Sequence, residues 1–253
     1  MAILIQRGLP CPFCSSSDAY AEYDTNFYCF SCREGKSKQK RSRTPASLVK
    51  QEPGTLPRDC TKDLPLGARA SLYQFHFTDE LIEKAKIMYS DSGEIYSQRL
   101  SKNVDTGNRL ILPYYQEDKL VYWEGKATSK NSLKYITMGG KQQVYKTFIG
   151  KVDTVVVVED ILSAIRVGTT FPCIALRGTS CNTSKLDQLR KSADSFIVWL
   201  DGDRPGINAA KKLGNKLTWV GKVCYIRTKE DPKAYSNEEI QEMIDEVLIQ
   251  TSN

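Results

Sequence analysis

Four consecutive valines, Val155, Val156, Val157 and Val158, run straight into Glu159, and further along Phe196-Ile-Val-Trp-Leu200 runs straight into Asp201-Gly-Asp203. Short unbroken apolar runs of this kind are the pattern of strands buried on both faces, as in a parallel sheet covered by helices. Ligand sites in such sheets lie at the carboxyl ends of the strands, so both runs deliver acids to one sheet edge. An acidic cluster there can hold a divalent cation against a phosphate. Each run is followed by a helical pattern, and the repeat of strand, carboxylate and helix predicts an α/β fold with a mostly parallel sheet and crossover helices.

That alternation starts near residue 152. Strands are expected at 154–158, 173–176, 196–200 and 222–226, with helices at 161–167, 184–192, 205–217 and 237–249. Pro205 suits a first helical turn, and Asn237 is expected to cap the last helix. Upstream, a helix is expected over 78–87 with Thr78 as its cap, then extended segments at 109–115 and 119–123 joined as a hairpin, with a third strand at 134–137. Residues 35–69 lose hydrophobic periodicity, and Lys36-Ser-Lys-Gln-Lys-Arg-Ser-Arg43 holds five positive charges and no acid. This reads as a basic flexible linker. The expected organisation is therefore a cysteine module over 1–34, the linker over 35–69, a small mixed α+β subdomain over 70–150 and the acid-bearing α/β domain over 151–253.

At 253 residues and 40% hydrophobic content the chain can bury a sizeable core. No stretch approaches the roughly 18 apolar residues of a membrane span, and the apolar start is too short for a signal-peptide core. The expectation is a soluble cytoplasmic protein with no membrane partner. The net charge of +6 lies upstream, with net +4 over 1–70, +2 over 71–150 and zero over 151–253. This placement suits a chain that grips a polyanion with one part and handles metal with another, and it equally suits a solvated lysine-rich surface.

Cys11-Pro-Phe-Cys14 and Cys29-Phe-Ser-Cys32 form two knuckles whose spacing presents four thiolates to one structural zinc ion. Cys60, Cys173, Cys181 and Cys224 are scattered and read as reduced thiols. A module this short and this poor in aliphatic residues draws its stability from the metal. Tyr20, Tyr23, Phe27 and Tyr28 lie between the knuckles, where they either stack on unpaired bases or cover the metal and its ribbon. In the second half, Glu159, Asp201 and Asp203 form an all-oxygen set suited to Mg²⁺ or Mn²⁺. Gly202 lets the backbone turn between the two aspartates. His76, the only histidine, is expected to be a packed or surface residue. Gly139-Gly-Lys-Gln-Gln143 lacks the spacing of a phosphate-binding P-loop.

Glu159 after one hydrophobic strand and Asp201-Gly-Asp203-Arg-Pro-Gly206 after a second resemble the Toprim domain of bacterial-type primases, type IA and II topoisomerases, some nucleases and recombination mediators. With a zinc ribbon ahead of it, the chain is similar to the DnaG-like primases, and most of all to the primase half of the fused primase-helicases of short-tailed phages. Ser15-Ser-Ser-Asp18 after the first knuckle and the Cys29-Phe-Ser-Cys32 knuckle add to the phage-type match. The resemblance implies synthesis of short RNA primers on single-stranded DNA from ribonucleoside triphosphates, by metal-dependent nucleotidyl transfer during DNA replication, inside a host cell if phage-encoded. It implies that Glu159 is the general base, that Asp201 and Asp203 are metal ligands and that Asp231 is a further acid. Asp160 stands where the family usually has glycine. The same resemblance implies that Arg109, Lys126, Lys130 and Lys134 bind nucleotide or template, and that Asp24 and Asn26 read the template.

With no P-loop, the expected arrangement is a stand-alone primase served by a separate replicative helicase. The first alternative is a metal-dependent Toprim nuclease, in which the same acids hydrolyse phosphodiesters. A second is a non-catalytic recombination mediator that clamps DNA, a class that normally carries helix-hairpin-helix elements ahead of its zinc site. A topoisomerase would need more chain to build a strand-passage gate.

Overall fold

The structure, a computed structural model, describes residues 4–14, 16–32, 34–37, 55–97, 102–105, 107–128, 133–140 and 142–252. It divides into two compact units, Met1–Lys50 and Gln51–Asn253.

The first unit is a four-stranded antiparallel sheet of β1 (Leu4–Leu9), β2 (Tyr20–Tyr23), β3 (Asn26–Cys29) and β4 (Gly35–Ser37), in that order. Among its described residues only Cys11, Tyr20, Ala21 and Cys29 are buried, with Leu9, Ala19, Phe27 and Cys32 packed around them. Tyr20 pairs with Cys29 across the β2–β3 hairpin, and its ring stacks on Phe27 at 5.6 Å and 3°. At these two positions the rings cover the cysteines, while Tyr23 and Tyr28 are partly exposed.

The second unit has two sheets that matter for function. The antiparallel one has the order β10-β9-β8-β5, built from β5 (Met88–Ser90), β8 (Arg109–Gln116), β9 (Lys119–Ala127) and β10 (Tyr135–Met138). A separate hairpin pairs β6 (Glu94–Ser97) with β7 (Lys102–Asp105). Helices α1 (Leu66–Tyr73) and α2 (Asp79–Lys84) precede these strands, and Thr78 caps α2 by accepting the Leu81 N–H, as its sequence position suggests.

The larger sheet has the order β11-β13-β12-β14-β15, from β11 (Tyr145–Lys146), β12 (Val152–Val158), β13 (Cys173–Ala175), β14 (Ala193–Val198) and β15 (Lys222–Tyr225). β12 runs parallel to both β13 and β14, β14 runs parallel to β15, and the short edge strand β11 is antiparallel. The interleaved helices are α3 (Ile161–Val167), α4 (Thr183–Ser192), α5 (Arg204–Leu217) and α6 (Asn237–Ser252).

Alternation along the strands sorts the core into two faces. Val156, Val158 and Ile197 pack with α3, α6 and the antiparallel layer, whereas Val155, Val157 and Val198 pack with α4 and α5. Because the chain leaves β12 toward β13 on one side and later returns to β14 on the other, strand order reverses beside β12. The crevice at that reversal is where open α/β sheets place ligands. No helix among the described residues is long and apolar enough to cross a membrane.

Three sequence expectations need correction. Residues 55–69, read as the end of a flexible linker, are seated on the core. Trp123 Nε1 donates to the Thr55 carbonyl at 2.9 Å, Asp59 accepts from the Ser90 hydroxyl and the Ser92 N–H, and Leu64 is buried. Single anchoring residues spaced along an otherwise polar stretch leave no periodicity to read. The cap of α6 is Ser236 rather than Asn237. Ser236 Oγ accepts the Glu239 N–H and Glu239 Oε2 accepts the Ser236 N–H, a reciprocal capping box. The helix expected over 78–87 stops at Lys84, because Lys86 turns to a positive φ of 52°.

Candidate active site

The acids reach the sheet edge on three consecutive structural features. Glu159 and Asp160 follow β12, Asp201 and Asp203 follow β14, and Asp231 follows β15 just before a short 3-10 turn, Pro232–Ala234. Asp160 caps α3 through Ser163 N at 2.9 Å, and Asp203 caps α5 through Gly206 N at 2.7 Å. Both acids therefore sit at positive helix ends, where negative charge is favoured.

Gly202 is required by close approach. A Cβ there would collide with the backbone carbonyls of Thr228 and Lys229, so the segment leading to Asp231 lies directly against the Asp201 turn. Trp199 Nε1 donates to Thr228 Oγ1 at 2.8 Å and holds the two together. Ligand oxygens of Asp160, Asp201 and Asp231 consequently lie within 4.8 Å of one another.

Charge crowding appears in the proton affinities. Burial and then Asp201, Asp160, Asp203 and Asp231 push Glu159 up to about 7. Burial and then Asp160 and Asp231, opposed by Lys233, push Asp201 up to about 6. Asp160 goes the other way. Its burial would raise it, but Lys233 and the Ser163 N–H hold it below the usual carboxylate range. Lys233 is 5% exposed, with its Nζ 2.9 Å from Asp160 Oδ2 and 2.5 Å from Asp231 Oδ2.

Asp201 Oδ1 is buried without a hydrogen-bond partner. An unsatisfied buried carboxylate oxygen costs stability that a bound cation would relieve. The hard oxygen donors and this orphaned atom fit a divalent metal.

The antiparallel layer supplies the opposite wall. Lys126 on β9 and Tyr135 on β10 are paired in register. Burial, opposed by the charge of Asp160, lowers the Lys126 ammonium, and burial together with Asp160, Glu124, Asp201 and Glu159 raises the Tyr135 phenol. The Phe75 ring lies 5.7 Å from Lys126 Nζ and 5.5 Å from Lys233 Nζ. Beyond Lys126 opens a cleft of about 410 Å³ whose walls include Leu72, Phe75, Tyr89, Leu110 and Leu162.

Arg177, at a positive φ of 59° after β13, ties the two layers together. Its side chain is 3% exposed, reaches Glu124 Oε2 at 3.5 Å, donates to the carbonyls of Gly140 and Gln143, and stacks 3.7 Å from the centre of the Tyr122 ring.

Of the basic residues expected to bind nucleotide or template, Lys126 lies beside the acids, and Lys134 is exposed near the Tyr135 ring. Arg109 does not face solvent. It is 2% exposed and its Nη1 donates to the Leu133 carbonyl at 2.6 Å, because its place at the start of β8 turns it inward. Lys130 lies outside the described residues. His76 is a surface residue whose Nε2 contacts the Ala234 carbonyl at 3.1 Å. Tyr135, Lys233 and Arg177 were not legible as site residues, since lone residues in mixed surroundings carry no motif.

In the first unit the sulfurs of Cys11, Cys14, Cys29 and Cys32 lie within 4.8 Å of one another. Cys11 Sγ is 3.8 Å from Cys32 Sγ and Cys14 Sγ is 3.7 Å from Cys29 Sγ. Tetrahedral ligation with metal–sulfur bonds of about 2.3 Å requires edges of about 3.8 Å, which these two separations match, so the set suits a four-thiolate metal site. None of the eight cysteines is paired in a disulfide. Asp24 and Asn26 sit at the β2–β3 turn, Asp24 exposed and accepting from Thr25 N.

Comparison with known proteins agrees with this architecture. Residues 156–236 match the Toprim-like family. The zinc-binding and RNA polymerase domains of the Aquifex aeolicus primase superpose with a TM-score of 0.62 at 16% identity, over 96% of this chain and 80% of that one. A DNA primase domain from Pseudomonas aeruginosa gives 0.60 at 17% identity, over 74% of each chain. The primase fragment of the bacteriophage T7 primase-helicase gives 0.52 at 16% identity, over 97% of this chain and all of that one. At these identities the likeness is one of fold. No curated protein sequence matches the chain.

Proposed function

We propose that this chain is a DNA primase of the phage type, which joins ribonucleotides into short RNA primers on single-stranded DNA. The observation that carries this reading is the meeting of two elements: the acids at the tips of β12 and β14, and the Lys126–Tyr135 pair that the antiparallel layer sets opposite them. Residues 1–34 would hold one structural zinc and select template, with Asp24 and Asn26 at the exposed hairpin turn. Residues 70–150 would hold nucleotide and template, and residues 151–253 would carry the chemistry.

Glu159, Asp201 and Asp203 would hold Mg²⁺ or Mn²⁺, which when bound neutralises phosphate charge. Glu159, pushed up to about 7, is poised near neutrality to accept the proton of an attacking ribose hydroxyl. Lys126 can meet a triphosphate from the other wall, and the apolar cleft beside it suits a base. This sequence contains no P-loop, so strand opening would come from a helicase outside it.

The test is incubation of the zinc-loaded protein with single-stranded DNA, labelled ribonucleotides and Mg²⁺ or Mn²⁺, alongside a protein carrying Asp201→Asn and Asp203→Asn. Template-dependent oligoribonucleotides from the wild type alone are expected. Products that persist in the double variant would sink the site assignment, and metal-dependent degradation of template without synthesis would replace this reading with a nuclease.

A further inference from the structure

We propose that Lys233 is a positioning residue of the acidic edge, a resident cation that engages Asp160 and Asp231 and so restricts the edge to one divalent ion on the side of Glu159 and Asp201. This inference rests on the reading of the edge as a metal-dependent site.

Five carboxylates converge there, yet they are not equivalent. Asp160 is fully engaged: Oδ1 accepts from Ser163 N, while Oδ2 accepts from Lys233 Nζ and from Ser163 Oγ at 3.2 Å. To bind metal it would have to leave a helix cap and a charge-assisted bond together, and such bonds are strong where water is excluded. Asp231 Oδ2 receives the same ammonium at 2.5 Å. On the other side Asp201 Oδ1 is buried with no hydrogen-bond partner.

The lysine is held in place as firmly as the acids. It stems from a buried 3-10 turn that opens with Pro232, is 5% exposed, and lies over the Phe75 ring, whose negative face favours a cation. Removing its charge would leave two close carboxylates, Asp160 and Asp231, without the ammonium bonded to both, and the edge would recruit a second divalent ion to replace it.

The experiment counts Mn²⁺ bound to the zinc-loaded full chain, from the electron paramagnetic resonance of the free ion, with no nucleotide or template present. Wild type should bind one ion, Lys233→Met two, and the compensated double variant Asp160→Asn with Lys233→Met one. Asp160→Asn alone keeps the cap and should retain wild-type affinity. A folded Lys233→Met protein that still binds one ion would overturn the inference, as would a loss of about 10-fold or more in Asp160→Asn, which would make Asp160 a metal ligand. Should Lys233→Met fail to fold, the two Asp160→Asn proteins decide, and absence of the ion from both overturns it. No Mn²⁺ on wild type would instead overturn the metal reading beneath it.

Discussion

Four sulfurs brought within 4.8 Å of one another by two knuckles leave no ligand position over, whereas the carboxylates of the second unit line an edge where Asp201 Oδ1 is still without a hydrogen-bond partner. The two sites also differ in what surrounds them. Around the sulfurs there is one small cluster of buried residues, while beneath the carboxylates both faces of a five-stranded sheet are packed with apolar side chains. A closed site in a poor core is a folding device, and an open site on a rich core is a place for chemistry. The fold of the first unit should therefore depend on its ion, and only the activity of the second should depend on its own.

Chelation gives the largest effect. Zinc bound by four cysteines contributes about 10–16 kcal/mol to the folding of small modules, so a strong chelator should unfold Met1–Lys50 and leave the thermal transition of Gln51–Asn253 in place. Loss of both transitions together, followed by circular dichroism and NMR, would break the comparison.

Next is Arg177→Ala, which strands the buried Glu124 carboxylate and removes the tie between layers. A core destabilised by about 3–5 kcal/mol in urea is expected, with metal retention by the cysteine cluster unchanged. Asp203→Ala removes the cap of α5 as well as an acid. Stability should fall by about 0.5–2 kcal/mol, a smaller loss than that of primer synthesis.

A further effect is in pH. Glu159 and Asp201 rise from ordinary values of 4.5 and 3.8 to about 7 and about 6. The folded state thus holds protons that the unfolded chain has released, and stability without divalent metal should fall as pH rises from about 4 through about 7. Added Mg²⁺ should flatten that fall, and a melting midpoint that climbs over the same window would contradict the charge crowding.

Much of this molecule could be read before folding. The valine run and the Phe196–Leu200 run end in acids because buried strands must surface at a sheet edge, and Thr78 announces its helix because a hydroxyl before Asp79 and Glu80 has one obvious use. The two cysteine pairs stand at the spacing that their geometry requires. What could not be read depends on tertiary approach. Lys233 is two residues from Asp231 in sequence, but 73 from Asp160, the residue that gives it meaning. Tyr135 becomes part of the site only because β10 pairs with β9 in register with Lys126. The burial of Arg109 is illegible for a related reason, since a basic residue at a strand end looks the same in sequence whether it turns toward solvent or inward. Gly202 is legible as necessary, but the cause is the backbone of Thr228 and Lys229 lying against it rather than a tight turn.

The most direct measurement is incorporation of labelled ribonucleotides by the zinc-loaded protein on a library of single-stranded templates in Mg²⁺ or Mn²⁺, beside the Glu159→Gln protein. Short RNA made by the wild type and absent from Glu159→Gln is the predicted result. Equal synthesis by both proteins, or none by either with the template intact, would contradict the assignment of nucleotidyl transfer to the carboxylate edge.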